Sequence, residues 1–331
     1  MKILVIRFSS IGDIVLTTPV FRCIKQQIPN AEIHLLTKHK FRAVSEANPH
    51  ISKFHYFKDD LKEVVDTLKA ENFDTVIDLH KNFRSYRVRM ALGKKSYAYN
   101  KLSVEKFLLT KFRINKMPDR HITQRSLDTV LPLGVKDDGG GLEHYIPAGI
   151  TLADNPLPSF TNNGYIALVI GASFATKKLP PERLIALCNL IKHPIMLVGG
   201  PEDEQIGSRV QGLDPQRIYN ACGPYNLHQS SLIVRDAKFV ISHDTGMQYI
   251  ACAFQKRVLA IWGATSPKLQ VEPYYGSNST VPYANCLVPN LPCQPCSNYG
   301  TKKCPEGHFN CMMQLDLQAI ADQANSWWTE L

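Results

Sequence analysis

The sequence predicts an α/β protein of two domains, each built on a parallel sheet with helices on both faces. Three observations carry that expectation: the length, an alternation of short apolar runs with helix-period segments, and one break in that alternation near mid-chain. At 331 residues the chain is too long for one small core and suits two domains of roughly 100–200 residues. Its composition, 44% hydrophobic and 20% charged, is that of a folded globular protein.

Residues 2–8 (KILVIRF) are apolar without alternation, the pattern of a strand buried on both faces. A helix is expected over 13–27, then strands at 32–37, 53–57 and 75–79, with a helix at 61–70 between the last two. Strands separated by helices of about 10–15 residues imply parallel pairing. The stretch 137–163 breaks the rhythm with Asp-Asp-Gly-Gly-Gly, Asn-Pro-Leu-Pro and Thr-Asn-Asn-Gly, and is read as the interdomain connection. The pattern then restarts: strand 165–171, helix 181–191, strand 195–199, helix 202–210 and a strand near 217–220. A helix at 227–236, strand 239–242, helix 246–254 and strand 258–262 follow. The expected domains are 1–155 and 156–314, with a terminal helix at 315–331 that packs back on the first domain.

In open parallel sheets ligands bind beyond the carboxyl ends of the strands, and three polar clusters fall at such ends. Ser9-Ser10-Ile11-Gly12-Asp13 follows the first strand. Gly12 permits a tight turn, and the helix that follows offers free N–H groups to an anion. Asp13 is either a helix cap or a general base. The second cluster is the loop 171–180 (GASFATKKLP), where Ser173, Lys177 and Lys178 precede a Pro-initiated helix. It suits a diphosphate, whose charge grows as it leaves. The third, Ser242-His243-Asp244-Thr245-Gly246, caps a helix and also aims backbone amides at a ligand.

Formal charge is +9, and thirteen lysines and arginines lie between Lys81 and Arg125. Such a one-sided basic run points to a polyanionic partner. The G-x-G-x-x-G and G-x-x-x-x-G-K-[ST] signatures are absent, which disfavours a nicotinamide dehydrogenase and a P-loop ATPase. No run reaches ~18 apolar residues, and Ile3–Ile6 before Arg7 is shorter than a signal peptide needs, so a cytoplasmic location is expected. Nine cysteines, an odd number, fit a reducing compartment better than a disulfide framework. Cys293, Cys296, Cys304 and Cys311 have spacing that would close a tetrahedral zinc site, with His308 as a spare ligand. The favoured expectation is reduced, locally packed thiols and no metal.

Five segments in order resemble glycosyltransferase family nine, the lipopolysaccharide heptosyltransferases. They are ILVIRFSSIGDIVLTTPVFRCIK near the start, FDTVIDLHKNFRS at 73–85 and GASFATKKLPPERL at 171–184. VISHDTGMQYIACAFQKRVLAIWGATSP at 240–267 and CQPCSNYGTKKCPEGHFNCM at 293–312 complete the set. The resemblance implies the GT-B architecture: two Rossmann-like domains facing each other across a cleft, the first for acceptor and the second for donor. It implies inverting transfer of heptose from a nucleotide-sugar, usually ADP-heptose, with no cofactor required. Carried over by motif, Asp13 is the base, with Ser10, Gly12, Asn82 and Arg84 on the acceptor side. Lys177, Lys178, Ser173, Asp244, Thr245 and Gly246 meet the donor. The expected partners are the nucleotide-sugar, an anionic lipid-linked saccharide and, peripherally, the cytoplasmic face of the inner membrane, with no nucleic acid. One departure is Tyr249, where relatives commonly carry histidine five residues after the aspartate of D-[ST]-G. Tyrosine donates a hydrogen bond but is not cationic at neutral pH. The rivals are a sugar-nucleotide epimerase or hydrolase, which needs no basic acceptor face, and a nucleic-acid-binding protein, which leaves the three strand-end clusters unexplained.

Overall fold

In the computed structural model, which describes residues 1–331, the apolar runs become strands and every strand pairing is parallel. The first part of the chain forms β1 (Lys2–Ile6), α1 (Ile11–Val15), α2 (Thr18–Gln27), β2 (Glu32–Lys38), α3 (Arg42–Ser45) and β3 (Lys53–Phe57). It continues with α4 (Lys62–Ala70), β4 (Thr75–Asp78), α5 (Phe83–Leu92), β5 (Lys95–Ala98), α6 (Ser103–Phe107) and α7 (Ile122–Asp128). The remainder forms β6 (Ile166–Val169), α8 (Pro181–Leu190), β7 (Ile195–Val198), α9 (Glu204–Gln211), β8 (Ile218–Asn220) and α10 (Leu227–Asp236). It ends with β9 (Phe239–His243), α11 (Gly246–Ala253), β10 (Val258–Ile261), β11 (Tyr283–Cys286), α12 (Asn310–Met313) and α13 (Leu317–Glu330).

The first sheet has the order β3-β2-β1-β4-β5, so β1 is central. Its side chains alternate between two cores, as a period of two requires. Ile3 and Val5 join Val20, Phe21 and Ile24 of α2, while Leu4 and Ile6 join Phe8, Val64 and Leu68 on the other face. The expected single helix over 13–27 is broken in two. Pro19 has no N–H to continue the ladder, and the Thr17 and Thr18 hydroxyls donate to the carbonyls of Ile14 and Val15, each at 2.7 Å.

The second sheet has the order β11-β10-β9-β6-β7-β8. Its core takes Ile166 and Leu168 of β6, Phe239 and Ile241 of β9, and Leu184 and Leu187 of α8. The terminal helix α13 belongs here, contrary to the expectation that it packs on the first domain. Its apolar stripe, Leu317, Ile320, Ala321, Ala324 and Trp327, is buried in this core, and Trp327 meets Phe239 edge-on at 5.7 Å.

The expected boundary near 155 is also replaced. One unit holds Met1–Lys101, Arg120–Pro147 and Tyr275–Ser279; the other holds Leu102–Asp119, Ala148–Tyr274 and Thr280–Leu331. The short return of Tyr275–Ser279 to the first unit is made by backbone pairing that sequence periodicity does not register. Asn278 donates its amide to the Gly139 carbonyl at 3.2 Å and its side-chain N–H to the Asp138 carbonyl at 3.0 Å. Gly141 lies in this contact at φ +74°, and a Cβ there would overlap the Tyr275 carbonyl. Gly141→Ala should therefore cost about 1–3 kcal/mol and lower the unfolding temperature. A thermal melt superimposable on wild type would remove this close approach from the account.

Candidate functional site

In the first unit, the site is organised by a buried cation at the end of β1. Arg7 is buried, and its guanidinium donates to the carbonyls of Ser9, at 2.9 Å, and Leu79. It also pairs with Asp13 Oδ1 at 2.6 Å. The other Asp13 oxygen accepts from the Ser10 amide at 3.0 Å and the Ser10 hydroxyl at 2.9 Å. Ser10 is thus the N-cap of α1 and closes a capping box with Asp13. Gly12 is buried in the first turn. The Asp13 side chain keeps 32% of its surface exposed. Burial alone would raise its carboxyl, but the Arg7 charge and the Ser10 hydrogen bonds outweigh burial and hold it below its ordinary range.

The end of β4 supplies the neighbouring groups. The buried Asp78 carboxylate accepts from the amides of His80, at 3.0 Å, and Lys81, at 2.7 Å, and from the Ser85 hydroxyl at 2.8 Å. This fixes the turn that leads into α5, where Asn82 is the N-cap and accepts from the Ser85 amide at 2.9 Å. Arg84 lies over the Phe8 ring at 5.6 Å. Burial, together with the charges of Arg7, Lys101 and Arg84, lowers the His80 imidazole to about 3. His80 is therefore neutral at ordinary pH. Asp13 is thus an ionised, partly exposed carboxylate beside a neutral imidazole and several cations.

In the second unit, both lysines of the 171–180 loop are held by carboxylates. Lys177 pairs with Asp244 at 2.7 Å, and Lys178 with Asp203 at 2.6 Å. Asp244 also accepts from the Thr265 hydroxyl at 2.7 Å, and Asp203 from the Gly200 amide at 3.1 Å. The Leu179 amide donates to His243 Nε2 at 3.0 Å, which locks the loop to the end of β9. Burial, with the Lys178 charge beside it, lowers this imidazole to about 3 and keeps it neutral. Thr245 is the N-cap of α11 and accepts from the Met247 amide at 3.2 Å; Gly246 opens the helix. Ser173 is exposed in the loop ahead of Lys177. The structure thus brings Lys177, Asp244, Thr245 and Gly246 together at the carboxyl end of β9, with Lys178 beside them. The Tyr249 hydroxyl donates to the Val271 carbonyl at 2.7 Å and is buried, so it anchors a loop.

Arg7, Asp203 and Thr265 were not singled out from sequence. Arg7 had a visible signal, a guanidinium interrupting an apolar run that must be buried. Asp203 and Thr265 are separated from their partners by tens of residues and are recognisable only once the strands are assembled.

Cys293, Cys296, Cys304 and Cys311 are free thiols, the last of them buried. Burial raises the Cys296 and Cys311 thiols, and neighbouring cysteines of the group add to it. Another group of ligand type is His34, His55 and Glu71 in the first unit. His34 Nδ1 already meets His55 Nε2 at 2.9 Å, and Lys2 and Lys53 both pair with Glu71, which makes it a closed polar network.

Arg7→Gln tests the first of these arrangements. A carboxyl whose folded pKa is depressed adds stability that is present above its ordinary pKa and is lost as pH falls through the depressed value. The variant should be less stable at neutral pH by roughly 1.5–3 kcal/mol, the scale of a charged hydrogen bond. The gap should narrow on acidification below about pH 4. Thermal melts across pH measure both, and a pH-independent gap would mean that Arg7 acts through its carbonyl contacts and packing rather than through Asp13.

Residues 62–308 match glycosyltransferase family 9 (heptosyltransferase). Lipopolysaccharide heptosyltransferase 1 of Campylobacter coli is 22% identical over 292 residues, covering 80% of this chain and 84% of its own length. Lipooligosaccharide heptosyltransferase 2 of Haemophilus ducreyi is 24% identical over 303 residues, covering 81% and 84%. Among solved structures, a family 9 glycosyl transferase from Veillonella parvula gives a TM-score of 0.75 at 19% identity, over 100% of this chain and 97% of that one. The ADP-heptose lps heptosyltransferase II of E. coli gives 0.72 at 17% identity, over 100% and 99%. These likenesses carry the fold, two parallel-sheet α/β domains of the GT-B class. With three quarters of its length matched by the family, the chain belongs to glycosyltransferase family 9, the heptosyltransferases.

Proposed function

We propose that this enzyme transfers a heptose from ADP-heptose to an acceptor of the lipopolysaccharide inner core, with inversion at the anomeric carbon and Asp13 as the base. The observation that carries the reading is the Asp13 carboxylate, ionised by Arg7, held by Ser10 and still partly exposed at the end of the central strand. In the step, the acceptor oxygen forms a bond to the anomeric carbon while the bond to the diphosphate oxygen breaks. The hydroxyl proton passes to Asp13, and the electron pair leaves with the nucleoside diphosphate. The nucleotide-sugar is a substrate, not a cofactor.

Donor and acceptor are assigned to different units. Lys177 exchanges its Asp244 partner for a diphosphate oxygen, and Thr245 and Gly246 offer the α11 N-terminus to the phosphates. Ser173 and Lys178 line the same loop. On the acceptor side Ser10 and Gly12 flank Asp13, and Asn82 and Arg84, from the start of α5, meet the acceptor, Arg84 at its phosphate. The lipid-linked acceptor places the work at the cytoplasmic face of the inner membrane. No helix is long and apolar enough to cross a membrane; the contact proposed is peripheral.

Three variants test the assignment. Asp13→Asn keeps size and most capping but takes no proton, so turnover should fall about 10²–10⁴-fold with ADP affinity unchanged. Near wild-type turnover would reduce Asp13 to a helix cap and pass the base role to His80, Glu46 or a substrate phosphate. Lys177→Ala should weaken ADP binding by roughly 1.5–3 kcal/mol in calorimetry, and unchanged affinity would remove that loop from the donor site. Arg84→Ala, by contrast, should raise the acceptor KM and leave ADP affinity alone; collapse of ADP binding would reverse the roles of the units.

A further inference from the structure

α5 presents to solvent a stripe that a soluble surface does not require. Its buried side is short, Ser85 and Val88. Its open side carries Phe83 at 75% exposure, Tyr86 at 50% and Met90 at 63%. Positions 83, 86, 87 and 90 follow helical spacing, so these side chains and Arg87 share one face. Single exposed apolar residues are ordinary, but three on one helix face are a patch. Neither Arg87 nor the exposed Lys94 just beyond the helix has an ion-pair partner, and α5 contains no acid. Asp59, Asp60 and Asp66 line a cleft with Arg84 and Arg87, so Arg87 stands at the border between that cleft and the apolar stripe, while Asp78 meets the buried side of the helix through Ser85.

The second unit repeats the chemistry in the segment after α6. Phe107 and Phe112 pack edge-to-face at 5.6 Å yet remain 52% and 60% exposed, beside exposed Lys111 and Lys116. Both stretches come from the run 81–125, which holds thirteen basic residues against Glu105 and Asp119.

We infer that the exposed face of α5 is a docking surface for an anionic lipid bilayer, with Phe83, Tyr86 and Met90 entering the headgroup boundary and Arg87 and Lys94 meeting lipid phosphates. Aromatic and long apolar side chains flanked by unpaired cations suit that boundary, where apolar burial and attraction to anionic lipid act together. A nucleic acid would use the cations but not the apolar stripe; a second copy of the chain would meet the same unpaired cations. The inference rests on the reading of a lipid-linked acceptor for its purpose, though not for its geometry.

The test is co-sedimentation of the full chain with vesicles free of saccharide. Wild type should bind mixed phosphatidylglycerol and phosphatidylcholine vesicles, bind phosphatidylcholine alone poorly, and release as salt rises. Tyr86→Ser with Met90→Ser should largely abolish binding. Arg87→Gln with Lys94→Gln should weaken it about 25-fold, at roughly fivefold per cation near an anionic surface. Both double variants should melt like wild type and keep full transfer to a water-soluble, delipidated acceptor. Absence of wild-type binding, or binding unchanged in both variants, would overturn the inference. So would light scattering that shows a wild-type dimer dissociated by Tyr86→Ser with Met90→Ser. Vesicle binding without any transfer activity would leave the surface standing and sink the proposed reaction instead.

Discussion

The first unit depends on one buried guanidinium. Arg7 ends the central strand, and its carbonyl partners, Ser9 and Leu79, belong to the loops that leave β1 and β4. A buried cation without partners is strongly unfavourable, so the surrounding oxygens are as necessary to Arg7 as it is to them. The result is a rigid floor beneath Asp13, positioned by backbone rather than by a flexible side chain. Because the same group supplies the charge that lowers the Asp13 carboxyl, position and proton affinity are set together.

The second unit solves the opposite problem. On the proposed reading its loop offers cations to a diphosphate and yet stays ordered through its own carboxylates. Asp244 and Asp203 neutralise Lys177 and Lys178, and both carboxylates are themselves nearly buried and bonded to Thr265 and Gly200. An arriving diphosphate then competes with a carboxylate already in place, so net affinity is the difference between two charge-assisted contacts. On the proposed reading, the Asp244 carboxylate that Lys177 releases is free to accept from sugar hydroxyls. The lysine–carboxylate pairing is therefore compatible with the proposed donor role. It predisposes Lys177 to one geometry, whereas an unpaired lysine would lose rotamer freedom on binding.

Most of the architecture was legible because buried parallel strands are apolar runs. The strand at 53–57 and the helix at 227–236 match their predicted limits. What was missed shares a physical reason. α5 and β5 carry arginine, lysine and tyrosine and are half exposed, so no periodic burial marks them. The placement of α13 was misjudged because an amphipathic stripe says that a helix packs, not what it packs against. The return of Tyr275–Ser279 rests on backbone contacts and on Gly141, neither of which periodicity registers. At the site, strand-end clusters exposed Asp13, Lys177 and Asp244, whereas their partners Arg7, Asp203 and Thr265 emerged only from the assembled sheets.

A depressed carboxyl is at first sight a poor base, since proton transfer is most effective when the pKa lies near the working pH. The chemistry of glycosyl transfer softens this objection. The transition state resembles an oxocarbenium ion, with the leaving bond largely broken before the nucleophile is fully bonded. The acceptor hydroxyl becomes strongly acidic only as its oxygen bonds to that centre, so the proton departs late and needs a positioned acceptor more than a strong one. Arg7 and Ser10 supply position at the expense of basicity. The neutral His80 beside them adds no positive charge to lower the carboxyl further. On this mechanism the ion pair that weakens Asp13 as a base also keeps its carboxylate deprotonated and aimed, and aim is the scarcer requirement.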